Sequence, residues 1–164
     1  MSLGSVFLHS AIKRLGNYKE LGEKAFEQLS EDDFFYTPNE VSNSIAVIIQ
    51  HVGGNMLSRW TDFLTSDGEK PWRNRDIEFK SQALNYQQLL DLWETGWQCC
   101  LTTLESLSEE DLLKTIPIRG EGLLVIDAIN RQLAHYPYHV GQIIYIAKVL
   151  KNNNWQNLSI IKGK

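Results

Sequence analysis

The chain has 164 residues, of which 43% are hydrophobic and 22% charged, a composition typical of globular proteins and not of disordered ones. A chain of this length suits one domain, and we expect a single domain over residues 1–164. Lys and Arg number 16 against 20 Asp and Glu, for a net charge of -4. Because Lys and Arg are not clustered in any one stretch of the chain, we do not expect nucleic acid as a partner.

The sequence indicates a cytoplasmic protein. Its two cysteines, Cys99 and Cys100, are adjacent, and neighbours in a helix point about 100° apart, which disfavours a disulfide bond between them. A reducing compartment therefore fits best. No apolar run approaches the roughly 20 residues of a membrane-spanning helix, so we expect no membrane partner. The N-terminal segment 1–4 lacks the charged region and cleavage site of a signal peptide.

Four stretches carry apolar residues at alternating steps of three and four, the spacing of an amphipathic helix. The predicted helices cover 8–29, 44–64, 86–107 and 124–150. Ser42 or Asn43 can cap the second of them. Four such helices, without strand-like alternation to match them, predict an all-α protein, a four-helix bundle.

Two connections depart from the helical pattern. Residues 66–84 form a long link between the second and third helices, and links of this length usually cross the end of a bundle or carry function. Residues 115–122 alternate in hydrophobicity but include Pro117, so we predict a short extended segment, closed by a glycine turn, before the fourth helix. The tail at 155–161 is expected to dock on the bundle through Trp155 and Leu158.

Two histidines, His135 and His139, lie four residues apart in the fourth helix, so both imidazoles can aim at one point. His51 has a similar position at the edge of the apolar stripe of the second helix. If the two faces meet, three neutral imidazoles at about 2.0–2.1 Å would hold a divalent metal and leave one coordination position open, as catalytic sites do. The spacing alone is equally compatible with two histidines at the edge of the buried helix face that bind no metal. Pro137, between the pair, is expected to bend the helix.

His51 with Asn55, and the pattern His135-x-x-x-His139-x-Gly141-Gln142, resemble the DinB/YfiT-like superfamily of metal-dependent enzymes. The resemblance covers essentially the whole chain, and the loop at 68–76 and the tail are similar to an uncharacterised subgroup. It implies an up-down-down-up bundle in which residues 66–84 make the crossover. It also implies a Zn²⁺ or Ni²⁺ site formed by the three histidines, frequently in a homodimer. Pro137 departs from the commoner pattern of the family.

Members of that superfamily include S-transferases that use bacillithiol or a similar low-molecular-weight thiol. The resemblance therefore implies transfer of a small thiol to an electrophilic substrate, since a divalent ion stabilises a thiolate. Asn55 and Gln142 are predicted to orient a water, a ligand or the substrate. Arg73 and Arg75, beside Trp72, are predicted to form a cationic rim for an anionic thiol. The alternative for both arginines is a solvated loop.

Three other functions stay open at this point. The same metal could activate water for hydrolysis, with Glu121 and Asp127 as the nearest carboxylates along the chain. The bundle could instead be a non-enzymatic, stress-related dimeric scaffold, which a fourth protein ligand on the metal would favour. Five tryptophans also suggest an interaction module, which a contiguous patch of exposed tryptophan would support. Cys99 and Cys100 are predicted to be inert core thiols.

Overall fold

Five helices and one two-stranded sheet make up the part of the chain that the computed structural model describes, residues 2–80 and 84–159. The helices are α1 Leu3–Phe26, α2 Ile45–Trp60, α3 Arg75–Glu78, α4 Tyr86–Ser106 and α5 Val125–Lys151. The strands are β1 Thr115–Ile118 and β2 Glu121–Leu124. The protein is thus mostly helical, as predicted. Parts of the predicted crossover (81–83) and tail (160–161) lie outside the described residues.

The four long helices share one apolar core. α2 packs on α4 and α5, and α1 packs on α4 and α5, so each long helix contacts two others. The predicted apolar stripes face this core and supply most of its large buried side chains. The largest of these are Trp60, Trp97, Tyr136, Phe34, Leu15, Ile45, Ile49 and Met56.

A side-chain cap sets where α2 begins. The hydroxyl oxygen of Ser44 accepts a hydrogen bond from the Val47 amide at 3.2 Å, so Ser44 caps α2. The prediction of Ser42 or Asn43 as that cap is wrong by one or two residues. α2 also ends earlier than predicted, at Trp60, and the chain turns at Asp62 with a φ of 49°. That left-handed conformation is incompatible with a continuing helix.

The predicted extended segment is a β-hairpin. β1 and β2 pair antiparallel, with Ile118 opposite Glu121. The two residues between them, Arg119 and Gly120, have φ values of 57° and 78°, as a tight two-residue hairpin turn requires. The Asp67 carboxylate accepts hydrogen bonds from both of their amides, at 2.9 and 2.8 Å. The hairpin turn is therefore tied to the long link that follows α2.

The remaining expectations about the chain concern α5, the tail and the cysteines. α5 continues through Pro137 as one helix. Trp155 and Leu158 are partly buried against the core, as predicted.

Cys99 and Cys100 are free thiols, and burial raises the pKa of Cys100 well above its usual value. Among the described residues, no helix combines the length and the apolar character needed to cross a bilayer.

α2 and α4 approach closely at Gly53. A methyl group there would lie 2.5 Å from Cγ of Leu92, whereas one at Gly16 in α1 would meet nothing within 4 Å. Gly53→Ala is therefore expected to lower the free energy of unfolding by about 1–3 kcal/mol through overpacking. Gly16→Ala, the matched control, is expected to raise it by about 0.5–1 kcal/mol through helix propensity. Urea denaturation measures both. Equal changes in the two variants would contradict this account of Gly53.

Candidate metal centre

Three histidines from two helices meet at one point. α2 supplies His51, and α5 supplies His135 and His139 from successive turns. Nε2 of His135 lies 3.3 Å from Nε2 of His51 and 3.1 Å from Nε2 of His139. One ligand atom from each of the three lies within 4.8 Å of the others. The predicted meeting of the three histidines is confirmed, and together they could hold a metal ion.

An oxygen acceptor holds the other ring nitrogen of each histidine. The pairs from Nδ1 to oxygen are His51 to Glu78 at 3.1 Å, His135 to Gln132 at 3.2 Å and His139 to Gln142 at 2.9 Å. The amide nitrogen of Gln142 donates to the Tyr138 hydroxyl at 3.0 Å, so both ends of this amide have a partner. With these oxygens as acceptors, the tautomer that carries the ring hydrogen on Nδ1 leaves the Nε2 lone pair of each histidine free for a metal.

Three lone pairs that face one another at such short range repel unless a cation lies between them. Two nitrogens bound to one tetrahedral ion at about 2.0–2.1 Å would lie roughly 3.3 Å apart. The Nε2 separations of 3.3 and 3.1 Å agree with that value. Oxygen acceptors on the outer nitrogens are also the usual way in which ligand histidines are oriented. The residues present therefore fit a divalent metal.

The acceptor of His51, Glu78, is part of a buried ion pair. Its carboxylate receives hydrogen bonds from Nε and Nη2 of Arg73 at 2.7 and 2.9 Å. Only 10% of the Glu78 side chain and 2% of the Arg73 side chain are exposed. Burial alone would raise the pKa of Glu78, but the hydrogen bonds from His51 and Arg73 lower it overall. Glu78 is thus an anion that joins the long link after α2 to the three histidines.

This ion pair corrects the prediction for Arg73. Its guanidinium is buried on Glu78 and so cannot form an exposed rim for a substrate. Arg75 is exposed, and it lines a cavity that opens beside His51 and His135. The structure therefore separates the two predicted rim residues: Arg75 lines the cavity beside the histidines, whereas Arg73 lines a different cavity, beside Trp72.

The two predicted orienting residues have different surroundings. Gln142 contacts His139 directly, as described above. Asn55 is buried, and its side-chain oxygen accepts a hydrogen bond from the Tyr136 hydroxyl at 3.0 Å. That hydroxyl accepts one from the Trp60 indole at 2.9 Å. Asn55 therefore belongs to a buried polar chain that reaches the cavity wall, and within residues 2–80 and 84–159 it forms no hydrogen bond to a histidine ring.

Sequence reasoning missed two residues of the centre, Glu78 and Gln132. Gln132 precedes His135 by three residues, just as Gln142 follows His139 by three, so helical spacing could have revealed it. Glu78 lies in the crossover, 27 residues after His51, where no periodicity applies. Glu121 and Asp127, the carboxylates closest along the chain, are exposed and do not line the cavity beside the histidines.

That cavity has a volume of about 140 Å³ and is polar. Its wall consists of two of the three imidazoles, two amides and four guanidinium groups. These residues are His51, His135, Asn55, Gln132, Arg59, Arg75, Arg119 and Arg131. A small polar group can therefore come close to the centre.

Burial and neighbouring cations keep the histidines of α5 neutral. Burial, with the charges of His139, His51 and Arg131, lowers the pKa of His135 to about 3. Burial also lowers the pKa of His139, although its hydrogen bond to Gln142 opposes that shift. Neutral imidazoles are the form that binds a metal, so both residues are ready as ligands at neutral pH.

These shifts predict that acid destabilises the metal-free protein. The unfolded chain protonates histidine near pH 6.5, whereas folded His135 does so near pH 3. Between these values the unfolded state binds more protons, so the free energy of unfolding falls as the pH falls. The loss is at most about 1.4 kcal/mol per pH unit from this histidine. Urea denaturation across that pH range measures it. His135→Gln should reduce the slope and His9→Gln, an exposed control, should not; equal slopes would contradict the prediction.

The tryptophans do not form the exposed patch that an interaction module would need. Trp60, Trp93 and Trp97 are buried in the core, and Trp155 is partly buried against it. Trp72, in the crossover, is 59% exposed. The tryptophan content is therefore accounted for mainly by the core.

Comparison with known proteins identifies a family and no named relative. The family described as "Protein of unknown function (DUF1572)" matches residues 2–164. A search of curated proteins finds no match. DinB-like families are related to DUF1572. Since the match covers nearly the whole chain, including all three histidines, the protein belongs to the DUF1572 family.

Proposed function

We propose that the protein is a metal-dependent enzyme that holds Zn²⁺ or Ni²⁺ at His51, His135 and His139. In this proposal it transfers a low-molecular-weight thiol of the bacillithiol type to an electrophilic substrate. The observation that carries the proposal is the convergence of three Nε2 lone pairs, each fixed by an acceptor on the opposite ring nitrogen.

Each residue of the centre has a role in this scheme. Glu78, Gln132 and Gln142 hold the three rings in one orientation, so that the ligands are arranged before the metal binds. A divalent ion with three protein ligands would keep a position open and would stabilise a thiolate at neutral pH. The cavity beside His51 and His135 supplies room for the reacting group.

Two observations favour thiol transfer over the alternatives. Hydrolysis usually needs a general base near the metal, but Glu78 is engaged by Arg73, and no carboxylate residue lines the described cavity. A structural metal site usually has four protein ligands, whereas the cluster within the described residues contains three. An open position therefore supports chemistry over a scaffold role.

We also propose the architecture that accompanies this function. The chain is one DinB/YfiT-like domain, an up-down-down-up four-helix bundle in which the segment after α2 makes the crossover. It acts in the cytoplasm as a homodimer. The mutual contacts of α1, α2, α4 and α5 support the bundle. Two free thiols in the chain are compatible with a reducing compartment.

A thiol-transfer assay tests the function. Metal-loaded protein would be mixed with bacillithiol, cysteine or another small thiol and with monobromobimane as a fluorogenic electrophile. We expect metal-dependent acceleration of thioether formation, which metal-free protein and His139→Ala lack. A metal-loaded protein that accelerates no thiol reaction would overturn thiol transfer. Metal-dependent cleavage of ester substrates in the absence of any thiol would replace it with hydrolysis.

A further inference from the structure

The cavity beside the histidines carries an excess of positive charge. Four arginines line it, and none of its wall residues is a carboxylate. They come from four separate parts of the chain: Arg59 from the last turn of α2, Arg75 from α3, Arg119 from the hairpin turn and Arg131 from α5. Glu69, outside the wall, pairs with Arg119 at 3.1 Å. The other three arginines have no carboxylate within ion-pair distance among the described residues, so their mutual repulsion costs free energy unless an anion lies among them.

Arg59 is the member of this group that most needs a partner. It is 3% exposed, and its Nε and Nη1 have no hydrogen-bond partner within residues 2–80 and 84–159. Buried polar groups are almost always paired, and an unpaired buried charge strongly destabilises a fold. An unpartnered guanidinium in the wall of a cavity therefore marks the place of a ligand that carries negative charge.

The other three arginines supply the rest of the positive charge in the cavity wall. Arg119 is held by the hydrogen bonds from its turn to Asp67, and its Nε donates to Glu69 at 3.1 Å. Arg75 and Arg131 are exposed and form no ion pair with any carboxylate in the described part of the chain. Their guanidinium groups are thus available to a ligand at the cavity mouth. Guanidinium binds carboxylate and phosphate oxygens through two parallel hydrogen bonds.

We propose that this cavity is an anion-binding subsite, which takes a carboxylate or phosphate group of the substrate and holds it beside the open side of the three-histidine centre. Its volume of about 140 Å³ suits such a group and not a whole ligand, because sites for complete small molecules usually measure about 300–1,000 Å³. The role of this group in the reaction rests on the proposed function, whereas the binding of the anion does not.

Anion titrations of the full-length chain test the subsite. Phosphate, acetate and malonate would each be titrated at constant ionic strength, balanced with chloride, while calorimetry gives the affinity and a melting curve gives Tm. Protein would be used both stripped of metal and loaded with Zn²⁺. We expect one anion to bind per chain and to raise Tm in both forms. Tighter phosphate binding would assign the subsite to phosphate esters, and tighter binding of acetate or malonate would assign it to carboxylates.

Three variants separate an anion site from a structural role for the arginines. Arg59→Met should weaken anion binding about tenfold or more, since it removes charge-assisted hydrogen bonds. It should also raise Tm in the absence of anion, because it removes an unpaired buried charge. Exposed Arg131→Gln should weaken binding about three- to tenfold without loss of folding. Arg14→Gln, an exposed arginine of α1 outside the cavity, is the matched control and should change neither quantity.

The outcomes distinguish this inference from the proposed function. Wild-type protein that shows no saturable anion binding, or variants that bind as the wild type does, would overturn the subsite even if Zn²⁺ binds. Arginine-dependent anion binding in a chain that takes up no metal would support the subsite and overturn the metal-dependent function.

Discussion

His135→Ala is expected to abolish metal binding by the protein. His135 contacts both other members of the cluster, because its Nε2 lies 3.3 Å from Nε2 of His51 and 3.1 Å from Nε2 of His139. Its loss leaves two protein ligands, too few for the catalytic sites that this centre resembles. Tag-free wild-type protein should contain about one equivalent of Zn²⁺ or Ni²⁺ per chain by mass spectrometry. His135→Ala and His51→Ala should contain none.

The same variants should lose the stabilisation that metal confers. A ligand that binds only the folded state at a thousand times its dissociation constant stabilises that state by about 4 kcal/mol. We therefore expect added Zn²⁺ to raise the Tm of the wild type by several degrees and to leave the Tm of both alanine variants unchanged. His9→Ala, at an exposed position of α1, controls for loss of a histidine and should retain both metal and stabilisation. Wild-type protein that binds neither added Zn²⁺ nor added Ni²⁺ would show that the three histidines do not form a metal site.

Glu78→Ala is expected to weaken both the fold and the metal centre. The change removes the acceptor of His51 and takes from the buried guanidinium of Arg73 its closest counterion, leaving only the Glu69 carboxylate at 3.7 Å. Removing one partner of a buried ion pair costs about 3–5 kcal/mol of stability. Loss of the group that orients a ligand histidine lowers metal affinity about 10- to 100-fold. Urea denaturation and metal titration measure the two effects separately.

A double variant separates the roles of this carboxylate. Arg73→Met combined with Glu78→Ala removes the stranded charge, so it should recover most of the lost stability. It should not recover metal affinity, because His51 still lacks its acceptor. Recovery of both would show that Glu78 acts on the metal only through the fold. Wild-type affinity in the single variant would show that it does not orient His51.

Local rules, which relate residues within one or two helical turns, were sufficient to predict much of this fold. The 3.6-residue period of apolar side chains predicted four long helices, because each amphipathic helix must bury its own stripe. The same geometry placed His135 and His139 on one face of α5, four residues apart. Local rules failed at ends and turns, where the competing interactions are specific. Ser44 caps α2 in place of its neighbours, and the extended segment folds back on itself at Arg119 and Gly120.

The sequence by itself therefore determined the helices and the histidine pair, since both depend on residues within one or two helical turns. Only the tertiary structure decided what surrounds them. It brought His51 to the pair, set Glu78 of the crossover on the far side of its ring, and buried Arg73 where an exposed rim was expected. It also gathered Arg59 and three other arginines from distant elements around one cavity. Such contacts join residues far apart in the chain, and side-chain spacing carries no record of them because they form only when the helices pack.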